Sequence, residues 1–123
     1  MKRSRLRKVS RKKVKAIKAV DAERAEFRRQ NPICWHCRTN PATDIHEIVR
    51  GARRSVGYGD RRAWMALCRP CHELYGDWSK VPLVKQLCVK HLNDPEYFDL
   101  AWTNEARGRA PGAITEEEIN EAQ

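Results

Sequence analysis

Long apolar runs are missing from this chain of 123 residues. No stretch approaches the roughly 20 apolar residues that a membrane-spanning helix needs. The basic start, Met1 to Lys8, is not followed by the apolar segment that a signal peptide requires. Charged residues make up 33% of the chain. We therefore expect a soluble protein that has no membrane partner and stays in the cytoplasm.

Glycine and proline are absent between Ser10 and Gln30, where Lys, Arg, Ala and Glu dominate. This composition predicts a basic helix. The helix should end before Pro32, because a residue that precedes proline is disfavoured in the α-helical region.

Acidic residues are scarce at the start of the chain and abundant at its end. Residues 1–30 carry 13 Lys and Arg against 3 acidic residues, whereas residues 94–123 carry 2 against 8. The chain therefore divides into a basic helical arm (1–30), a central domain (31–93) and an acidic helical C-terminal extension (94–123). A basic arm suits a polyanion, because phosphates neutralised by Lys or Arg release counterions. We expect nucleic acid to contact Lys12, Lys13 and Lys15, with a solvated tail or an anionic membrane surface as alternatives.

An export signal is lacking, so the five cysteines do not indicate a secreted disulfide scaffold. Four of them form two pairs with two-residue gaps, Cys34 with Cys37 and Cys68 with Cys71. Two such pairs predict one closed, tetrahedral structural zinc site. Cys88 is predicted to be a small buried hydrophobe on a helix. The tryptophans and Tyr75 are expected to form the core around the zinc.

Local patterns predict the remaining elements. A β-branched stretch predicts a strand, glycines predict a loop or ribbon turn, and cap residues predict helix ends. The predictions are a strand over 43–49, a loop over 50–60, a helix opened by Pro70 and ending near Gly76, a helix over 82–92 capped by Ser79, a helix from Asp94 through Trp102, a linker over 108–112, and a capping box at Thr115.

Polar residues lie beside both cysteine pairs. Asp44 and His46 alternate on the predicted strand, so both side chains should lie on one face. His72 directly follows the last cysteine. These three side chains could hold a second metal ion.

The segment 34–76 resembles the HNH endonuclease family, in the version braced by a CxxC…CxxC zinc. That family's strand reads acidic, any residue, His, His, aliphatic, and here it reads Asp44-Ile45-His46-Glu47-Ile48. The closing run Leu-Cys-x-x-Cys-His stands intact at 67–72, and phage-encoded members carry a similar basic helix before the first pair. The resemblance implies an α+β fold with a small ββα-metal core, flanked by the basic helix and C-terminal helices. It also implies DNA cleavage, in a bacterial host if the chain is phage-encoded.

The resemblance assigns roles to individual positions. His46 and His72 become ligands of a catalytic ion such as Mg²⁺ or Mn²⁺. Glu47 stands where the family has the histidine that deprotonates water, Ala63 replaces its asparagine, and Gly76 replaces a further histidine. Two assignments stay open: Glu47 as the base with Asp44 as a further metal ligand, or His46 as the base with the metal on Asp44 and His72. A third interpretation pairs Glu47 with a nearby arginine such as Arg50.

Lysine is absent from residues 50–69, which instead contain six arginines. Guanidinium groups match the geometry of phosphates, so these residues are predicted to contact nucleic acid: Arg50, Arg53, Arg54, Arg61, Arg62 and Arg69. The first hypothesis is a metal-dependent DNA endonuclease, with RNA left open as a substrate. The second is a noncatalytic zinc-ribbon protein that binds nucleic acid, and the third is an adaptor whose acidic extension binds a protein partner.

Overall fold

The computed structural model describes residues 10–108 and 113–123. The described chain is α+β, as predicted, and mostly helical with one two-stranded sheet. Most of the predicted 108–112 linker lies outside the described residues. The elements are α1 (Arg11–Gln30), β1 (Asp44–Glu47), α2 (Arg54–Gly59), β2 (Trp64–Leu67), α3 (Arg69–Tyr75), α4 (Leu83–Asn93), α5 (Leu100–Ala106) and α6 (Glu116–Ala122), with 3-10 turns at Gly51–Arg53, Arg61–Ala63 and Pro95–Tyr97.

Helix α1 confirms the predicted basic helix. Ser10 caps it by accepting a hydrogen bond from the backbone N–H of Lys13 at 3.1 Å. The helix ends at Gln30, just before the Asn31-Pro32 step. Phe27 is its buried residue, so this single side chain anchors the C-terminal end of the helix to the core.

The sheet pairs β1 with β2 in antiparallel register, so that Asp44 faces Leu67 and His46 faces Met65. All four residues of β2 are buried. Strand β2 leads directly into Cys68, which precedes α3, and the N–H of Trp35 donates to the carbonyl of Ala66 at 2.9 Å. The sheet therefore brings the two cysteine pairs to the same end.

The prediction of a loop over 50–60 is wrong, because this segment forms a 3-10 turn followed by helix α2. Its glycines serve close packing as well as turning. A Cβ on Gly57 would lie 2.2 Å from the carbonyl oxygen of Val49. The carbonyl of Gly57 also accepts a 2.8 Å hydrogen bond from the indole of Trp64. Only glycine allows α2 to approach the chain after β1 this closely.

Two predicted helix starts are also wrong. Ser79 does not cap α4, which begins after Pro82, and its hydroxyl instead contacts Asp77 at 2.7 Å. The helix predicted from Asp94 is a 3-10 turn followed by the separate helix α5, whose cap is Asp99. The carboxylate of Asp94 is already bonded to Lys90 and is not free to cap. The capping box at Thr115 is confirmed.

The core lies under the sheet and contains three aromatic rings in edge contact, since Phe27 meets both Trp35 and Trp64 at centroid distances of 5.6 Å. Trp78 does not belong to it and is 39% exposed. None of the helices within residues 10–108 and 113–123 combines the length and the apolar character that a membrane span demands.

A buried lysine attaches α4 to this core. The side chain of Lys90 is fully buried. Its Nζ donates to the carbonyl oxygens of Arg61 at 2.8 Å and Trp64 at 2.9 Å, and to Asp94 Oδ2 at 2.8 Å. All three donors of the ammonium group are therefore used, as burial of a charge requires.

Candidate metal centre and adjoining histidines

The four paired cysteines converge on one point. Their Sγ atoms all lie within 4.8 Å of one another, and those of Cys37 and Cys68 are 3.9 Å apart. Thiolates at Zn–S distances of about 2.3 Å around a tetrahedral ion are about 3.8 Å apart. The four cysteines can therefore hold a metal ion, and the spacing fits zinc. Cys88 is half-buried and lies outside this group.

Backbone N–H groups prepare two of the thiols, those of Cys37 and Cys68, as ligands, whereas burial raises the pKa of Cys71. The turn after the first pair passes through Arg38, whose φ is 60°. Hydrogen bonds from the backbone of Asn40 and Thr39 lower the pKa of Cys37 to about 6. The backbone N–H of Cys71 likewise lowers the pKa of Cys68. A lower pKa favours the thiolate, which is the form that binds metal.

Asp44 and His72 meet between β1 and α3. Nδ1 of His72 lies 2.8 Å from Oδ2 of Asp44, and Nε of Arg69 lies 3.1 Å from the same oxygen. Partial burial opposes ionisation of Asp44, but the hydrogen bond from His72 and the charge of Arg69 hold its pKa below the ordinary value. A carboxylate only accepts, so Nδ1–H of His72 donates. In the neutral ring, Nε2 then carries the free lone pair.

His46 lies beside this pair and is only 4% exposed. Burial lowers its pKa to about 4, so the ring is neutral near pH 7 and carries one N–H. Its Nε2 lies 2.8 Å from Oε1 of Gln86 on α4, whose amide nitrogen donates to the carbonyls of Tyr75 at 2.8 Å and Val81 at 3.1 Å. Those two bonds fix the orientation of the amide, so Nε2 of His46 carries the proton and Nδ1 carries the lone pair.

The histidines are neighbours without forming an assembled metal site. The rings of His46 and His72 are 5.2 Å apart between centroids, at 71° to each other. Within residues 10–108 and 113–123, only the four cysteines bring three or more ligand atoms close enough to share an ion. Asp44 instead bonds to His72, and His46 bonds to Gln86. The predicted ligands therefore lie on one face but belong to two separate hydrogen-bonded pairs, Asp44 with His72 and His46 with Gln86. We call this face the histidine face.

Glu47 lies on the other side of β1. Its Oε1 is 3.1 Å from the guanidinium of Arg24 on α1. The partner is thus Arg24 rather than Arg50, whose guanidinium donates to the carbonyl of Gly76 at 2.9 Å. Ala63, at the position of the family's asparagine, is fully buried.

The predicted nucleic-acid contacts divide into two groups. Arg61, Arg62 and Arg69 form ion pairs with Asp94, Asp60 and Asp44, respectively. Arg53 and Arg54 are exposed at the start of α2, and Arg50 is exposed just before it. Three exposed lysines lie on the first turns of α1, namely Lys12, Lys13 and Lys15.

The acidic extension is partly folded onto the rest of the chain. Asp94 is 7% exposed and pairs with Lys90 and Arg61. Helix α6 packs on α4, where the carbonyl of Ile119 accepts a 3.5 Å hydrogen bond from Cys88.

Two residues that position the histidine face and Glu47 were missed in the sequence. Gln86 and Arg24 lie in ordinary helical stretches, far along the chain from the residues they contact, and no local pattern distinguishes them.

Comparison with models of protein families, with curated protein sequences and with solved structures found no significant match to this chain.

Proposed function

We propose that this protein is an HNH-like, metal-dependent endonuclease that hydrolyses phosphodiester bonds in DNA. The observation that carries the proposal is the pair of Asp44 and His72, which joins β1 to α3 directly beside the four-cysteine cluster. A carboxylate that holds one ring nitrogen of a histidine orients the other nitrogen toward a ligand, as second-shell carboxylates do in metal sites. Zinc in the cysteine cluster braces the two elements that carry this pair.

The catalytic ion would be Mg²⁺, Mn²⁺ or a similar cation, held by Nε2 of His72, while Asp44 orients the ring through Nδ1. Bound there, such an ion supplies charge stabilisation for the phosphate and the leaving oxygen. His46 shares this face and presents an unprotonated Nδ1, so we assign it the proton from the attacking water. Glu47, the other candidate base, lies on the opposite side of β1 and is paired with Arg24. Arg50, Arg53, Arg54 and the lysines of α1 provide positive charge for the DNA backbone.

The test is nicking of supercoiled plasmid at low salt with Mg²⁺ or Mn²⁺. His72→Ala should lower the rate at least 100-fold, the size of effect seen when a catalytic metal ligand or positioned base is lost. The matched control is His91→Ala, because His91 is an exposed histidine that stacks on Phe98 away from the site. Equal nicking by wild type and His72→Ala, at equal zinc content, would contradict the proposal.

A second function is favoured by two observations. His46 is almost completely buried against Gln86, so it is not open to substrate in this conformation, and Glu47 is ion-paired with Arg24 on the other side of β1. These contacts suit a zinc-braced module that binds nucleic acid without cleaving it. A salt-sensitive mobility shift with no divalent-dependent product, in wild type and His72→Ala alike, would establish this second function.

The adaptor hypothesis depends on the acidic extension. Its exposed acidic residues, Glu116 and Glu117 on α6 among them, face solvent and are available to a protein partner. Removal of α6 with unchanged partner binding would exclude this role.

A further inference from the structure

A pocket of about 500 Å³ lies between the end of β1 and helix α2, on the Glu47 side of the strand. Its walls include Glu47, Arg50, Arg54, Ser55 and Tyr58. This volume falls within the roughly 300–1,000 Å³ of small-molecule sites. An aromatic ring, cations and a carboxylate therefore face one concave space.

Tyr58 is a rigid wall of this pocket. The guanidinium of Arg24 lies 4.0 Å from the centroid of its ring, and its hydroxyl donates to Oδ1 of Asp21 at 2.6 Å. The residue is nevertheless 42% exposed. Tyr58 lines the pocket, whereas Arg24 does not. A fixed aromatic ring with an open surface is a stacking platform.

Arg54 supplies a cation that is exposed at the start of α2. Within the part of the chain that the structure describes, Arg54 forms no hydrogen bond or ion pair, in contrast to Arg61, Arg62 and Arg69. The pocket also holds a hydrogen-bond acceptor: Oε1 of Glu47 pairs with Arg24, whereas Oε2 forms no hydrogen bond among the described residues. An unpaired guanidinium suits a phosphate, and a carboxylate oxygen suits the amino group of a nucleobase.

We propose that this pocket binds an unpaired nucleotide of single-stranded DNA. The base stacks on Tyr58, its amino group donates to Glu47, and a phosphate pairs with Arg54. A base within a duplex is covered on both faces by its neighbours, so only an unpaired base can reach Tyr58. The inference rests on the proposed function only in taking DNA as the partner, since it does not depend on cleavage.

The experiment measures fluorescence anisotropy of a labelled 12-mer of deoxycytidine and of a 12-bp duplex, without Mg²⁺ or Mn²⁺ and with the zinc site loaded. Tyr58→Leu should weaken binding of the single strand about tenfold, the effect of losing one base–aromatic contact. It should change duplex binding less than twofold. Tyr58→Phe keeps the ring and should retain the affinity for the single strand.

Arg54→Gln is the second variant, because the substitution breaks no hydrogen bond or ion pair among the described residues. It should weaken binding of the single strand several-fold, whereas Lys85→Gln, an exposed charge on α4, should change it less than twofold. Equal losses for single strand and duplex in Tyr58→Leu would overturn the inference. So would tighter binding of the matching RNA strand, or equal affinity for free deoxycytidine monophosphate.

Plasmid nicking by the wild type separates this inference from the proposed function. A selective effect of Tyr58→Leu without any nicking would support nucleotide binding in the pocket and exclude the endonuclease activity. Nicking that depends on His72, with no selective effect of Tyr58→Leu, would do the reverse.

Discussion

The cysteine cluster and the histidine face are neighbours, yet they are built in different ways. The members of each cysteine pair converge because only two residues separate them, and backbone N–H groups point at the sulfurs of Cys37 and Cys68. The histidine face needs contacts between distant segments, since His46 and its partner Gln86 are 40 residues apart. Short spacing specifies each pair, and the short sheet brings the two pairs together. The histidine face depends on how α4 docks.

Helix α4 is the element on which this difference depends. One side of it holds the ring of His46 through Gln86, and Lys90, four residues later, bonds to the carbonyls of Arg61 and Trp64. Because a metal ion would tie the two cysteine pairs together, its loss should unfold the whole domain. Loss of the Lys90 contacts should disturb the histidine face and leave the metal in place.

The largest effect is expected from breaking the cysteine cluster. Cys71→Ser removes a thiolate ligand, and zinc binding to such sites contributes about 10–16 kcal/mol to folding. We expect no bound zinc and no cooperative thermal transition, as measured by metal analysis and circular dichroism. Strong chelators should have the same effect on the wild type.

Cys88→Ser is the matched control for this experiment, because Cys88 is half-buried and outside the cluster. This variant should keep one zinc ion per chain, and its free energy of unfolding should fall by about 1 kcal/mol or less. His72→Ala should also keep the zinc and the fold while losing nicking. A Cys71→Ser protein that unfolds cooperatively at the wild-type temperature would show that the cluster does not support the fold.

A smaller effect, a loss of about 3 kcal/mol in the free energy of unfolding, is expected for Lys90→Met. The substitution keeps the apolar stem but leaves the carbonyls of Arg61 and Trp64 and part of the Asp94 carboxylate without their donor. Urea unfolding at pH 7 should show this loss, with zinc content unchanged. Lys85→Met, at an exposed position of the same helix, should change stability by less than about 0.5 kcal/mol.

The pH dependence gives this prediction a second check. Burial lowers the pKa of Lys90 to about 8 from an ordinary value of 10.5, although Asp94 opposes the shift. Below pH 8 the amine is charged in both the folded and the unfolded state. Between pH 8 and 10.5 the unfolded state binds more protons, so folding stability rises with pH. The stability of the wild type relative to Lys90→Met should therefore grow by about 1–2 kcal/mol from pH 7.5 to 9.5. A constant difference would contradict the burial of a charged amine.

These contrasts also explain what the sequence could predict. Helix α1, the helix opened by Pro70, the Thr115 capping box and the cysteine cluster were predictable because each depends on residues within a few positions, or on one repeated spacing. The segment 50–60 was predicted as a loop because its glycines resemble turn residues. In the structure Gly57 instead allows contact with Val49, which lies eight residues earlier.

In the candidate site, too, local patterns were predictable from the sequence and tertiary contacts were not. Alternation on a strand indicated that Asp44 and His46 share a face, and the Cys-His sequence indicated that His72 lies nearby. Neither pattern contains Gln86 or Arg24, whose positions depend on tertiary packing. The assignment of Glu47 as a base could not be weighed from the sequence, because its partner Arg24 lies 23 residues earlier on another element.

The smallest and most specific effect is expected for Gln86→Met. Methionine nearly keeps the volume of Gln86, which is fully buried, but removes the acceptor for His46 and the donor for the carbonyls of Tyr75 and Val81. Unpaired buried groups of this kind cost about 1–3 kcal/mol, and we expect about 2 kcal/mol here. Ring ¹⁵N shifts should show His46 protonated only at Nε2 in the wild type and exchanging between both nitrogens in Gln86→Met. A positioning role for Gln86 further predicts slower nicking by Gln86→Met than by Lys85→Met. An unchanged tautomer with slower nicking would mean that Gln86 acts by packing alone, and that the hydrogen bond from α4 does not set which nitrogen of His46 faces the substrate.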